Sequence, residues 1–199
     1  MTPQTFIFIG RSGSGKGTQV KLLEKYITEN DPVKRSIFYL ETGERFRNFI
    51  AGDSYASFLS KEISKRGELQ PEFLAVYMWA EELINKLKHD EHLIIDGSPR
   101  RLREAMVLDT ALSFFKRQNP IVIDLNVSPE WSRERLIARG RADDVQKEDI
   151  EKRLKWFNLE VRPAIDWFGN QPGYKIFHIN GEQTIEQVHE DIISAIFNS

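Results

Sequence analysis

The run Gly10-Arg11-Ser12-Gly13-Ser14-Gly15-Lys16-Gly17-Thr18 constrains this chain more than any other part of it. It follows the apolar stretch Thr5-Phe6-Ile7-Phe8-Ile9 and leads into Gln19-Val20-Lys21-Leu22-Leu23, where the apolar spacing is helical. A strand, a glycine-rich turn and a helix in that order make a cradle for an anion. Loop N–H groups and the positive end of the helix dipole converge on one point, and glycines let the main chain come close. Lys16 adds a mobile positive charge for outer phosphates, and the Thr18 hydroxyl is within reach of a magnesium ion. Gly13, Ser14, Gly15, Lys16, Gly17 and Thr18 are the expected contacts to a nucleotide's phosphates. Gly17 stands where the general pattern has Ser or Thr directly after the lysine.

Apolar, β-rich runs recur at residues 6–9, 37–40, 93–95, 121–125 and 176–179, with helical patterns between them. That alternation predicts a parallel sheet covered by helices on both faces. Ligands in such folds bind beyond the carboxyl ends of the strands. Gly10, Thr42, Asp96 and Asn126 all fall just past predicted strands. The stretch from Thr42 to Pro71 holds two short helical patterns, more than one crossover needs, and reads as an insertion. Residues 139–145 form a second, short polar interruption. A long helical pattern over 147–168 contains Pro163, which predicts a kink.

A chain of 199 residues suits one well-filled domain. A net charge of −2 gives no overall footprint for a nucleic acid polymer or an anionic membrane, so phosphate binding must rest on local basic clusters. No apolar run approaches a membrane span, and no basic segment precedes the first apolar stretch, so a cytoplasmic address is expected. The absence of cysteine excludes disulfides and thiolate metal sites. His89, His92, His178 and His189 show no ligand spacing and read as surface or boundary residues.

Leu93-Ile94-Ile95-Asp96-Gly97-Ser98-Pro99-Arg100 is the second signal. A strand that delivers an Asp at its end can orient a magnesium ion or its water, although Asp-Gly followed by Pro is also a common turn. Arginines make the third signal: Arg47, Arg100, Arg135, Arg139, Arg141 and Arg153. Guanidinium groups fork onto phosphate oxygens and keep their charge. Arg11, Arg66, Arg101, Arg103 and Arg117 read as ordinary solvated charges.

Taken together these motifs resemble those of the adenylate kinase family, nucleoside monophosphate kinases of the short-lid type, over essentially the whole chain. The matching elements are GxxGxGKGTQ at 10–19, TGxxxR at 42–47, DGxPR at 96–100, RG…RxDD at 139–144 and KRL at 152–154. The resemblance implies an α/β fold of the P-loop NTPase type, three layers α/β/α around a five-stranded parallel sheet. Its core would be 1–41, 72–138 and 146–199, with an inserted helical monophosphate-binding subdomain at 42–71 and a very short lid at 139–145.

It further implies reversible, Mg2+-dependent phosphoryl transfer from ATP to a nucleoside monophosphate, foremost ATP + AMP = 2 ADP, by a monomer. Lys16 and the loop amides would hold the donor phosphates, and Thr18 and Asp96 would serve the magnesium ion, the Asp through water. Thr42, Gly43, Arg47, Gln70, Gly97 and Arg100 would grip the acceptor. Arg135 would lie near the donor base, and Gln183, in the segment 181–183, would meet the donor adenine. Arg139 and Arg141 would come from the lid and meet Arg153 at the transferred group, with Asp143 and Asp144 helping the lid close.

Three positions depart from the family pattern. Gly140 and Arg141 are adjacent, leaving almost no lid loop, and without cysteine a zinc-stapled lid is excluded. Ser98 replaces the usual aromatic. Glu104 replaces the Gln that reads adenine; a carboxylate accepts only, so it matches the N1 and N2 donors of guanine better than adenine's N1 acceptor. A GMP-, CMP- or UMP-directed kinase on the same scaffold therefore stands as the alternative, and a nucleotide-binding regulator without turnover as a more distant one. The lack of an Asn-Lys-x-Asp motif argues against a GTPase switch.

Overall fold

The computed structural model describes residues 2–140 and 147–198. Five strands, β1 (Thr5–Gly10), β2 (Ile37–Glu41), β3 (His92–Asp96), β4 (Ile121–Asn126) and β5 (Lys175–Asn180), form one sheet in the order β2-β3-β1-β4-β5. Every pairing is parallel. The connection leaving β1 runs toward the β2 edge and the one leaving its neighbour β3 runs toward the β5 edge, and the crevice at that reversal is where such sheets bind ligands.

Side-chain alternation sorts the sheet into two apolar layers. Ile7, Ile9, Leu93, Ile95 and Val122 point to one face. There they pack on α4 (Glu72–Lys86), α5 (Leu102–Phe114) and α8 (Arg162–Gly169), through Trp79, Leu108 and Phe168. Phe6, Phe8, Ile94, Ile123 and Leu125 point the other way, onto α1 (Lys16–Asn30) and α9 (Ile185–Phe197), through Leu23, Ile27 and Ile192. Each of these buried side chains contributes about 1.5–3 kcal/mol, which is why the three-layer order follows from the runs of Phe, Ile and Leu. Among the described residues, no helix is long and apolar enough to cross a membrane.

Two helices, α2 (Thr42–Ile50) and α3 (Tyr55–Lys65), lie between β2 and α4, as the excess of helical pattern predicts. After α6 (Pro129–Arg139) comes α7 (Lys147–Trp156), and the predicted kink takes the form of a π-helical segment, Phe157–Val161, ending two residues before Pro163. Proline has no N–H to continue the α-helical ladder, and the Arg162 N–H reaches back five residues to the Phe157 carbonyl.

His92 corrects an expectation. It is fully buried, accepts from the Gln4 N–H at Nδ1 (3.2 Å) and meets Asp31 through Nε2 at 3.3 Å. The Nε2 therefore carries the proton and donates to Asp31, joining the ends of α1 and β3 to the residue before β1. Position alone, between a charged run and a strand, did not reveal that partner.

The loop after β1 is set by close approach. A Cβ at Gly10 would stand 2.6 Å from the Leu125 carbonyl oxygen, whereas at Gly15 (φ 93°) nothing lies within 4 Å. Gly10→Ala is expected to destabilise the protein by about 2–4 kcal/mol, because backbone must shift. Gly15→Ala is expected to cost only about 1–2 kcal/mol of conformational strain. Urea unfolding of both variants gives the comparison.

Candidate functional site

One cleft of about 1020 Å³ opens beyond the carboxyl ends of β1, β2 and β3. That is at the upper end of the range for a single small-molecule site, roughly 300–1,000 Å³. Its walls include Lys16 and Thr18 on one side, Thr42 and Arg47 on the other, with Asp96 and Arg100 between them.

On the first side, α1 begins at Gly15 with no side-chain cap and no acidic residue in its first turn. Helices α3, α6 and α9, by contrast, are capped by Ser54, Ser128 and Thr184. The uncapped N–H groups and dipole of α1 thus face the cleft, ready for an anion. Lys16 Nζ lies back on its own loop, donating to the carbonyls of Gly10 and Arg11 (2.9 Å each). Burial lowers its pKa to about 8, with Arg100 and Arg139 acting in the same direction and Asp96 against it. Asp96, raised in pKa by burial, accepts from the Tyr39 hydroxyl at 3.2 Å. Gly13 packs against α6, where an added Cβ would lie 3.0 Å from the Ser132 carbonyl, and the Ser132 hydroxyl donates to Ser12 O. Arg135, on the same helix, stands over the Trp131 ring at 4.6 Å and borders the cleft with Arg139.

On the second side, α2 also lacks a side-chain cap. Thr42 is 2% exposed, and its hydroxyl has no hydrogen-bond partner among the described residues. A buried hydroxyl left so costs about 1–3 kcal/mol, which a ligand oxygen would relieve. A Cβ at Gly43 would lie 3.3 Å from Arg47 Nη1, 3.9 Å from Glu41 Oε1 and 4.0 Å from Arg100 Nη2, so these groups converge on one spot. Arg100 is fixed by donating from Nε to the Gly97 carbonyl (2.8 Å) and stands over the Trp156 ring at 5.9 Å. Burial lowers its pKa, and Arg153 and Arg47 push it further down. Two anion seats therefore share one cleft, with Asp96 between them.

Other expected site residues also have partners within the protein. Glu104 borders the cleft and is 3% exposed; its carboxylate accepts from the Arg100 N–H (2.7 Å) and from the Trp79 indole (3.2 Å), so it also braces the turn at 97–100. The Gln70 amide is bonded to Ser60 and Ser64 of α3, though the residue borders the cleft. The Gln183 amide donates to Asp191 and to the Asn180 carbonyl. Ile185, two residues on, lines the cleft. Arg141, Asp143 and Asp144, with most of the expected lid at 139–145, lie outside the described residues.

Three residues that sequence reasoning passed over also line the cleft. Glu41 accepts from Arg47 Nη2 at 2.8 Å and pairs in register with Asp96. Tyr39 donates to Asp96, and Trp156 lies under Arg100. The parallel register of β2 on β3 would have flagged Glu41, whereas Trp156 depends on a tertiary contact that no local pattern encodes.

Comparison with known proteins agrees with this geometry. The family model described as adenylate kinase matches residues 8–172. The chain is 30% identical to the adenylate kinase of Flavobacterium psychrophilum over 197 residues, 96% of this chain and 97% of that protein. It is 32% identical to the adenylate kinases of Phocaeicola vulgatus and Bacteroides thetaiotaomicron over 195 residues, 96% of each chain.

Two outcomes follow from the electrostatics. A bound polyphosphate raises the Lys16 pKa above its free value of about 8. Binding of a phosphorylated donor is then strongest below pH 8 and weakens above it. Donor affinity measured by titration is expected to fall up to ~10-fold per pH unit above that point, and to become flat with pH in Lys16→Met. Glu104→Ala is expected to lower stability by about 1–3 kcal/mol through loss of the buried acceptor, measurable by thermal or urea unfolding.

Proposed function

This chain belongs to the adenylate kinase family, and we propose how its own residues carry the reaction ATP + AMP = 2 ADP. The observation that carries the reading is the pair of anion seats in one cleft, joined at Asp96 and Arg100. The α1 loop and Lys16 take the donor's β- and γ-phosphates, with Arg135 and Ile185 flanking its base. The N-terminus of α2, Thr42, Arg47 and Arg100 take the acceptor's phosphate, within a monophosphate-binding insertion at 42–71. An acceptor phosphate oxygen then attacks the γ-phosphorus in line, and the bond to the β-phosphate's bridging oxygen breaks. The bonding pair stays on that bridging oxygen, now a terminal oxygen of the ADP that leaves, and Lys16, Arg100, Arg139 and Arg153, with Arg141 from the segment 139–145, stabilise the charge there and on the transferring group's oxygens. No side chain has to serve as nucleophile or strong base.

Magnesium fits these residues. Asp96 is a buried carboxylate held near Lys16 and Gly17, where a built Cβ would lie 3.8 Å from Asp96 Oδ2, and Thr18 supplies a hydroxyl one residue on. Such hard oxygen donors, few in number, match an ion that keeps most of its ligands as water and phosphate. Among the described residues no cluster of three or more acidic or histidine side chains could hold a metal alone. When bound, the ion would neutralise charge on the donor's outer phosphates.

AMP is the acceptor we assign. The relatives at 30–32% identity over nearly the whole chain are adenylate kinases, and the Glu104 carboxylate, which weighed toward guanine and borders the cleft, is braced by the Arg100 N–H and Trp79. The working form in this reading is a cytoplasmic monomer.

Lys16→Ala and Arg100→Ala are each expected to lower kcat by about 100-fold or more with folding intact. Near-normal turnover in either folded variant contradicts the assignment. Thr42→Val is expected to raise KM for AMP about 5- to 10-fold while leaving KM for ATP unchanged. In a coupled assay with AMP, GMP, CMP, UMP and dTMP, AMP is expected to give the highest kcat/KM, and Glu104→Gln is expected not to change the order.

A further inference from the structure

Arg11 lies inside the phosphate loop, yet its side chain leaves that loop altogether. It is 7% exposed. Its Nε donates to the Val127 carbonyl just past β4 (3.0 Å), Nη1 to the Leu154 carbonyl of α7 (3.2 Å), and Nη2 to Asn158 Oδ1 (2.8 Å). The guanidinium also stands 4.4 Å from the centre of the Phe157 ring. All three bonds go to neutral oxygens. Burial lowers its pKa, with Arg162 adding to that and Asp124 opposing.

The contact falls on the junction of α7 with the π-helical segment. A π-turn takes the ladder from four residues to five, which changes how the carbonyls at its start are satisfied. Leu154, three residues before the segment, gives its carbonyl to Arg11, and Asn158 lies within the segment. Arg153, the residue before Leu154, lines the cleft. On the loop side, the Arg11 carbonyl accepts from Lys16 Nζ (2.9 Å) and from the Ser14 N–H (3.1 Å). One residue therefore holds the donor lysine's resting place with its main chain and the Arg153 helix with its side chain.

We propose that Arg11 is a positioning residue, which ties the phosphate loop to the α7 junction and so fixes where Arg153 enters the cleft relative to Lys16. This rests on the assignment of Lys16 and Arg153 above. A planar, always-charged fork with donors in three directions suits the role, and lysine, with one point of charge, does not replace it. Small displacements of a charged group near a transferring phosphoryl are costly in rate.

The test is a double-mutant cycle read by kcat and by both KM values, at a temperature where every variant is fully folded. Arg11→Met keeps an apolar stem against Phe157 and removes the three bonds. It is expected to lower kcat by about 10- to 100-fold with KM for AMP unchanged, and Arg11→Lys to restore little of it. In an Arg153→Ala background the same change is expected to cost less than about twofold, because there is no longer an arginine to misplace. Asn158→Ala, which leaves the loop untouched, is expected to give a smaller loss of the same kind and the same non-additivity. It carries the cycle if Arg11→Met does not fold. An equal fold-loss in both backgrounds overturns the coupling and leaves the assignment of Arg153 standing. Normal activity of Arg153→Ala alone overturns that assignment, and the coupling with it.

Discussion

Lys16 and Arg100 are held deep in one cleft, where burial lowers the pKa of both and Arg100 lowers that of Lys16 further, and much else in the structure serves to keep them there. Burial alone disfavours both charges. Asp96 offsets part of the cost from the end of β3, and carbonyl oxygens of Gly10, Arg11 and Gly97 occupy the N–H donors. Helix α1 adds its positive end without a cap to soften it. The result is a cavity short of negative charge, and phosphates supply what it lacks. Stability and function pull in opposite directions here, as is common where binding residues are held in a strained charge arrangement.

The sheet makes this arrangement affordable. Two apolar faces, each covered by helices, fix the strand ends rigidly, so the residues after β1, β2 and β3 stay where the sheet puts them. Parallel register carries Phe8, Asp96 and Glu41 side by side. Glu41, on Arg47, and Tyr39, on Asp96, then tie the α2 side of the cleft to the strand ends. The same logic extends beyond the sheet: Trp156 donates to the Gly67 carbonyl at 3.3 Å, bringing α7 against the loop that follows α3.

Much of this was legible in the sequence, for physical reasons. Phe6–Ile9 and 93–95 are apolar on both faces, so they had to be central strands, and the glycine loop after the first of them could hardly be anything else. Thr42 and Arg100 were legible because they follow strand ends. What escaped reading were side chains whose partners lie far along the chain. Glu104 read only as a base contact because of its place in the motif; its hydrogen bond from the Trp79 indole, 25 residues away, had no local signal. Arg11 read as a solvated charge, and only the fold brings Val127, Leu154 and Asn158 around it. His92 read as a surface or boundary residue, and is fully buried, for the same reason.

Two phosphate seats in a single cleft call for a ligand that fills both at once. Calorimetric titration with two adenosines joined by five phosphates is predicted to give one ligand per chain. Its affinity is predicted to exceed that of ATP or AMP alone by at least about 100-fold, as expected when two sites are engaged by one linked molecule. Two ligands per chain, or an affinity no better than that of ATP, would contradict the account.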